Sequence, residues 1–580
     1  MSEEPFKPTD QQKRVIEHEG SAFISACPGA GKTRVLIERA HKLFREEDSG
    51  RAIAFLSFTN AAIAELEARL RNSNLLPSPP FPHFIGTFDS FLWHFLIVPF
   101  GVPGCETAAR LIPDKDSLLV QPFAKAQPLP LECFDRTSHK ILFGAAKRRK
   151  FDPSRNASIT KAYETSAARI RARFMASGEL DFYEVRELAS QRLKDPTLSP
   201  ALARVLSARF RELIVDEAQD CNPADLEIIN WLRRAGIATK IICDPHQSIY
   251  EFRGGVTEDL FAFEKTFEEA DRLPLSGNFR SSGHICRAIV AFRAPGNRTS
   301  IDEALGKHRD EPPPVHILAY GGKSVPASVG EKFRGLMESL AIDVVDCPVL
   351  AATKQSSANA IGLPTGAVKL DLTMRLALSV TNFHFAVGIG DLKVALENLH
   401  EVFLQIGGHL DGKTYHQYLE SEPMNGTNWK PVILQLAKAL RYDPTAFANA
   451  DEWHQRAKKL LAPHLSPGST SISRRLPRNA SLETALVQLP TSSPAARTIH
   501  SVKGMEFPGV CVVMTPNTTK SILEYLVSGA PSDQAENARK IYVGASRAQR
   551  VLAIAVPNSQ VRRLEALLKS TGTVVNVTKI

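Results

Sequence analysis

No Cys-x-x-Cys pair and no histidine cluster at metal-ligand spacing occurs in the 580 residues; the eight cysteines, at 27, 105, 133, 221, 243, 286, 347 and 511, lie singly along the chain. Zinc modules and disulfide scaffolds are argued against, and the pattern reads as buried thiols of a reducing compartment. A basic, apolar leader is also lacking: Met1 to Val15 open on acids, so a secretory signal is not expected. No apolar run approaches the roughly 20 residues that a membrane helix requires. The longest one beside a helix, Phe91 to Val102, is interrupted by His94 and Pro99. Nor is there an internal repeat of about 20–50 residues, which argues against a solenoid. The expectation is a cytoplasmic protein with no membrane partner.

What is present is a large apolar fraction, 43% of the residues, on a chain too long for one core. Lys and Arg number 71 against 62 Asp and Glu, a net charge of +9, which suits a polyanion such as nucleic acid. Short runs rich in Ile, Val and Phe read as buried parallel strands: Ser21 to Ala26, Ala52 to Phe58, Phe84 to Gly86, Glu212 to Val215 and Lys240 to Cys243. A second series follows at Val315 to Ala319, Pro348 to Thr353, Arg497 to Ile499, Val510 to Thr515 and Val551 to Val556. Two α/β domains are implied, each a parallel sheet covered by helices. Each series is interrupted by a stretch of different composition, with helical patterns around Lys161 to Arg192 and Leu392 to Gly408. The organisation expected is a first core over 1–102 and 206–282 with an insertion at 103–205, then a second core over 283–353 and 496–580 with an insertion at 354–495.

The run Ala26-Cys27-Pro28-Gly29-Ala30-Gly31-Lys32-Thr33 sits between a strand and a helix. It has the form of a phosphate-binding loop whose first Gly is replaced by Ala. Backbone N–H groups and the helix N-terminus can cradle phosphates, Lys32 adds a point charge, and Thr33 a hydroxyl for Mg²⁺. Downstream, the apolar strand at Glu212 to Val215 ends in two adjacent carboxylates, Asp216 and Glu217. Asp216 suits a magnesium site, and Glu217 the orientation or deprotonation of an attacking water. Together they point to ATP hydrolysis.

From here the sequence resembles the UvrD/Rep/PcrA branch of superfamily 1 helicases. Thr9-Asp10-Gln11-Gln12 is similar to the family's glutamine motif, with Gln12 on the adenine edge, and Arg34 occupies a nucleotide-contacting position. Leu56-Ser57-Phe58-Thr59-Asn60-Ala61-Ala62 and Ile85-Gly86-Thr87-Phe88-Asp89-Ser90-Phe91 resemble stretches that touch single-stranded DNA in the family. The resemblance places Phe58, Thr59, Asn60, Thr87 and Phe88 at that strand, where aromatic faces stack on any base and small polar groups bind phosphate. Asp89 stands where the family often has His, and Phe91 and Trp93 read as core.

Cys243 to Gly254 matches the family's GDxxQSIYxFRGA signature over most of its length. The resemblance puts Gln247 at the γ-phosphate and Tyr250, Phe252 and Arg253 at DNA. Leu275 to Ser281 resembles LxxNYRS, with Phe279 stacked on adenine and Arg280 reaching the γ-phosphate. Thr498 to Phe507 resembles TxHxxKGLEF: His500 and Ser501 at the DNA backbone, Gly504 and Glu506 at the nucleotide, Glu506 on the ribose. Glu536 to Ala548 resembles ERRLxYVxxTRA, and Arg547 becomes a second arginine finger supplied from the second core.

The family implies two RecA-like parallel-sheet motor domains, each with a mainly helical insertion. It also implies ATP with Mg²⁺ as cofactors, and single-stranded and partial-duplex DNA as partners. The implied activity is translocation with strand separation, 3′ to 5′, as in DNA repair. Two family elements are absent: the Gly-x-x-Phe-Phe-x-x-x-Glu-Ile stretch within 354–495, and the Glu-Gly-x-Phe-Pro element between the last two motifs. Only 33 residues follow Arg547, so a fused nuclease is not expected. These departures keep an alternative open: a DNA-stimulated ATPase or sensor subunit beside a separate nuclease, as in Gabija-type anti-phage defence.

Overall fold

The computed structural model describes all residues except 1–5, 46–49, 74, 76–79, 114, 125, 250–256, 299–301, 364–370, 390–391, 411–414, 416–417, 420–425, 444 and 487–492. The chain divides into two compact units, Met1–Cys27 with Gly31–Leu275, and Pro28–Ala30 with Ser276–Ile580.

The first unit is built on six parallel strands, β1 (Ala22–Ala26), β2 (Ala52–Ser57), β3 (Phe84–Thr87), β4 (Phe210–Val215), β5 (Ala238–Cys243) and β6 (Arg272–Leu275), in the spatial order β6-β1-β5-β4-β2-β3. Every residue of β2 is buried, because helices cover both faces of the sheet and leave no solvent side to demand alternation. The second unit repeats the scheme with β7 (Val315–Tyr320), β8 (Val349–Ala351), β9 (Ala496–Thr498), β10 (Phe507–Val513), β11 (Ala548–Pro557) and β12 (Val575–Lys579), ordered β9-β8-β10-β11-β7-β12 and also parallel. The two-sheet, RecA-like α/β class expected from the sequence is the class observed.

All ten expected strands are present. Two more, β6 and β12, lie at sheet edges and contain no uninterrupted apolar run, which leaves them illegible in the sequence. Pro274 breaks the strand pattern of β6, yet an edge strand tolerates proline because one row of its N–H groups has no ladder to serve. The last strand, with Asn576 and Thr578, is only half-buried and lacks an apolar run.

Within 103–205 the structure separates two roles. Val120, Leu129, Leu131, Phe134 and Tyr163 form a small core of their own. The helices Phe182–Lys194 and Leu198–Arg209 instead send Val185, Leu188, Leu202 and Leu206 into the core of the first sheet. Between 354 and 495 the regular elements of the described residues are all helices, with a separate core around Leu376, Phe383, Leu399 and Trp453. All eight cysteines are free thiols; seven are buried, and Cys105, expected to be buried, is half-buried near a turn. Among the described residues no helix is long and apolar enough to cross a membrane.

One buried ion pair fastens the helix that carries the phosphate loop. Arg39, on helix Lys32–Arg45, donates through Nε and Nη2 to the two carboxylate oxygens of Glu212 on β4, at 3.0 and 2.6 Å, and through Nη1 to the carbonyl of Ile16 at 2.7 Å. Both side chains are no more than 3% exposed. Arg39→Met leaves a buried carboxylate without its partner. A loss of about 3–5 kcal/mol is expected, read as a lowered urea midpoint with an unchanged slope; a shift under about 1 kcal/mol would remove the pair from the list of structural fasteners.

Candidate nucleotide and nucleic-acid site

In an open parallel sheet, ligands bind beyond the carboxyl ends of the strands. The neighbours β1, β5 and β4 deliver the phosphate loop, Asp244 to Gln247, and Asp216–Glu217 to adjoining positions at that edge. The loop begins at Ala26, the buried end of β1, and Cys27 N donates to the carbonyl of Leu275 at 2.9 Å. Gly29 and Gly31 take φ of +70° and +75°, which side chains rarely adopt. A Cβ at Gly29 would lie 2.5 Å from Asn278 Oδ1 and 2.7 Å from Arg280 Cβ, so the crown of the loop, Pro28–Ala30, admits no side chain at its centre. Lys32 and Thr33 open the following helix. The next residue, Arg34, is 3.2 Å from Glu38 and stacks over the Phe6 ring at 5.0 Å.

Gln12 is buried in a capping box: its backbone N–H donates to Thr9 Oγ1 at 3.3 Å and its Oε1 accepts from Thr9 N at 3.0 Å. A Cβ built at Gly31 would meet Gln12 Nε2 at 3.2 Å, so the glutamine sits directly against the phosphate loop.

Asp216 is pushed up to about 7, first by burial and then by the adjacent Glu217 charge, against which Lys32 works in the opposite sense. Glu217 adopts the left-handed region, φ 56° and ψ 36°, with its N–H donated to Asp216 Oδ1 at 2.9 Å and its carboxylate accepting from Gln219 Nε2. Gln219 Oε1 in turn accepts from Asp244 N at 3.2 Å, and Asp244 Oδ2 accepts from Gln247 Nε2 at 2.9 Å. One hydrogen-bonded chain therefore joins Glu217 to Gln247 across β4 and β5.

At the same edge, β2 and β3 end in the groups expected at nucleic acid. Thr59 caps helix Asn60–Asn72, Thr87 caps helix Phe88–Leu92, and Asn60 is exposed. Phe58 is half-buried and stacks on Phe88 with centroids 5.5 Å apart. Phe88 is completely buried, and this corrects its expected place at a base: the ring is core, and Phe58 covers it. Phe91 is likewise core, while Trp93 is partly buried against it. Tyr250, Phe252 and Arg253 lie outside the described residues.

In the second unit Arg280 donates from Nε to Glu506 at 2.7 Å and from Nη1 to the carbonyl of Ser546 at 3.0 Å. Arg547 is buried and donates to the carbonyls of Val543 and Met505 and to Ser546 Oγ, at 3.1, 3.4 and 3.1 Å. Phe279 is half-buried, and Glu506 and Gly504 are exposed, the latter at φ +85°. His500 and Ser501 form the 3₁₀ turn after β9, with Ser501 exposed.

Family models agree with this arrangement. The UvrD/REP helicase N-terminal domain matches residues 8–268, and the UvrD-like helicase C-terminal domain matches 481–559, together more than half of the chain. The chain belongs to the UvrD-like helicase family. Among relatives, it is similar to the ATP-dependent DNA helicase PcrA of Bacillus subtilis, 26% identical over 48% of this chain and 38% of that protein. It is also similar to the putative ATP-dependent DNA helicase YjcD of the same organism, 25% identical over 52% and 40%. The third, ATP-dependent DNA helicase UvrD1 of Mycobacterium tuberculosis, is 28% identical over 60% and 47%. The UvrD-like chain thus spans less than half the length of the relatives it matches.

Two residues of this UvrD-like site escaped the sequence reading. Asn278, fully buried, accepts through Oδ1 from the N–H groups of Arg280 and Ser281 at 2.8 and 2.9 Å and thereby shapes the turn that presents Arg280. Gln219 bridges Glu217 to Asp244. Asn278 sits two residues before Arg280 and Gln219 two residues after Glu217, and an amide so close to a charged site residue was the available signal.

Proposed function

We propose that this chain is an ATP-driven motor that moves on single-stranded DNA, 3′ to 5′, and separates the complementary strand. The observation that carries the reading is the junction of β1, β5 and β4, where the phosphate loop, the half-buried pair Asp216 and Glu217, and Gln247 lie at adjoining strand ends. Lys32 and the loop N–H groups bind the β- and γ-phosphates, Gln12 and Phe279 hold the adenine, and Glu506 the ribose. The donor set suits Mg²⁺: desolvation and the Glu217 charge both penalise the Asp216 carboxylate, which a divalent cation would relieve, and Thr33 adds a hydroxyl. The metal, when bound, supplies charge neutralisation on the phosphates. Glu217 takes the proton of the attacking water, Gln247 senses the γ-phosphate, and Arg280 and Arg547 supply positive charge to it. Phe58, Thr59, Asn60, Thr87, His500 and Ser501 grip the strand. For Arg547 this role requires that it exchange its internal carbonyl partners for phosphate.

A second reading, an ATPase subunit working beside a separate nuclease, is favoured by one observation. Residues 269–480 lie outside both family matches, and the helical part of that stretch has its own core. Steady-state ATPase with and without single-stranded DNA, beside unwinding of partial duplexes with 3′ or 5′ overhangs, tests both. Stimulated hydrolysis with unwinding from the 3′ overhang alone is the expected result. Stimulated hydrolysis without unwinding from either end selects the second reading, and no hydrolysis rejects both.

A further inference from the structure

Helix Phe182–Lys194 carries Arg186, whose guanidinium is held between two carboxylates from distant parts of the first unit. Its Nε donates to Asp225 Oδ1 at 2.8 Å, its Nη2 lies 2.7 Å from Asp89 Oδ1, and its Nη1 donates to the carbonyl of Phe182 at 3.2 Å. The Asp225 side chain is 1% exposed and that of Arg186 16%, so this half of the bridge is shielded from solvent, while Asp89 is 28% exposed; all of it is held by charge-assisted bonds.

The two carboxylates stand at the two ends of the proposed machinery. Asp225 closes the capping box of helix Pro223–Arg234, exchanging hydrogen bonds with Asn222 at 2.9 and 3.1 Å. That helix follows the Glu217 turn after the single 3₁₀ segment Ala218–Asp220. Asp89 lies on helix Phe88–Leu92, whose cap is Thr87 at the end of β3. Thr87 and Asp89 thus lie two residues apart at the start of one short helix, and Arg186 ties that helix to the cap of the helix behind Glu217.

We propose that Arg186 is a positioning residue that couples nucleic-acid occupancy at the end of β3 to hydrolysis at the end of β4. The inference rests on the functional reading above and adds a route to it.

The test measures ATPase against single-stranded DNA concentration, with DNA affinity by fluorescence anisotropy, on the full chain. Asp89→Ala cuts the bridge at its more exposed end. The expected result is a basal rate and a DNA affinity within about twofold of the unaltered protein and a roughly five- to tenfold loss of stimulation at saturating DNA. Arg186→Leu alone strands a buried carboxylate, so Arg186→Leu/Asp225→Asn, which removes both charges together, is the partner variant; it should melt within a few degrees of the unaltered protein and lose the same stimulation. Arg186→Lys, a cation without the fork, should restore part of it. Full stimulation in Asp89→Ala and in the double variant overturns the inference, as does a proportional fall of basal and stimulated rates. An unaltered protein without any stimulation overturns the functional reading, and this inference with it.

Discussion

Glu217→Gln is expected to reduce ATP hydrolysis by about 10²–10⁴-fold while leaving ATP affinity within a few-fold. Both carboxylates at the end of β4 are half-buried, but Asp216 is pushed up to about 7 by desolvation and by Glu217, while Glu217 accepts a bond from the Gln219 amide and stands where the turn presents it past the strand end. In hydrolysis the water oxygen bonds to the γ-phosphorus, the bond from phosphorus to the bridging oxygen breaks, and the water proton needs an acceptor. Glutamine has the shape of glutamate and no such capacity. The left-handed backbone at Glu217 is held by its N–H bond to Asp216, which the substitution does not touch, so the turn should survive. Single-turnover hydrolysis beside equilibrium binding of a fluorescent ATP analogue separates the two effects. A variant that retains more than about a tenth of the rate would remove Glu217 as the base, and a parallel loss of binding would mark it as structural.

The legible parts of this fold and site share a property: each is written locally. A strand buried on both faces is a short apolar run, and the groups at its carboxyl end follow it directly in sequence, as Asp216 and Glu217 follow β4. That is why ten strands and the strand-end groups could be read from the chain alone. What escaped depends on partners distant in sequence or on position within a layer. The strands β6 and β12 look unlike strands because Pro274 interrupts one and Asn576 and Thr578 the other, which their edge positions tolerate. Phe88 looked like a free aromatic beside polar groups, and only the packing of Phe58 and the helices behind it shows the ring to be core. Arg186 meets carboxylates 39 and 97 positions away, which no spacing rule anticipates.

The arginines make the same point in the second unit. Arg280 and Arg547 were singled out for charge alone, yet both donate to groups of their own unit, Arg280 to Glu506 and Ser546, and Arg547 to Val543, Met505 and Ser546 among others. A buried guanidinium without partners would be costly, so a chain that keeps such charges for a ligand must supply substitutes for them. Glu506, the residue proposed for the ribose, is the substitute for Arg280.

Asp216→Asn should make the nucleotide-free protein more stable and the motor inactive. The Asp216 carboxyl, at 3.8 in an unfolded chain, is raised to about 7 by burial and by Glu217. Such a group contributes stability that is complete below the unfolded value and is lost as pH rises through the folded one, because the unfolded chain ionises first. Asparagine never ionises and keeps the oxygen that accepts the Glu217 N–H. Each unit of separation is worth about 1.4 kcal/mol, so the variant should gain on the order of a few kcal/mol above about pH 7 and almost nothing near about pH 4. The same carboxylate must be ionised to hold Mg²⁺. Added Mg²⁺ with ATP should then raise the melting temperature of the unaltered protein, more strongly above about pH 7, and leave the variant's nearly unmoved, with hydrolysis down by at least about 100-fold. Melting curves at several pH values with and without Mg²⁺ decide the matter. A stability advantage that is constant across pH would show that Asp216 is not the strained acid of the site, and an undiminished Mg²⁺ response in the variant would move the metal to other ligands.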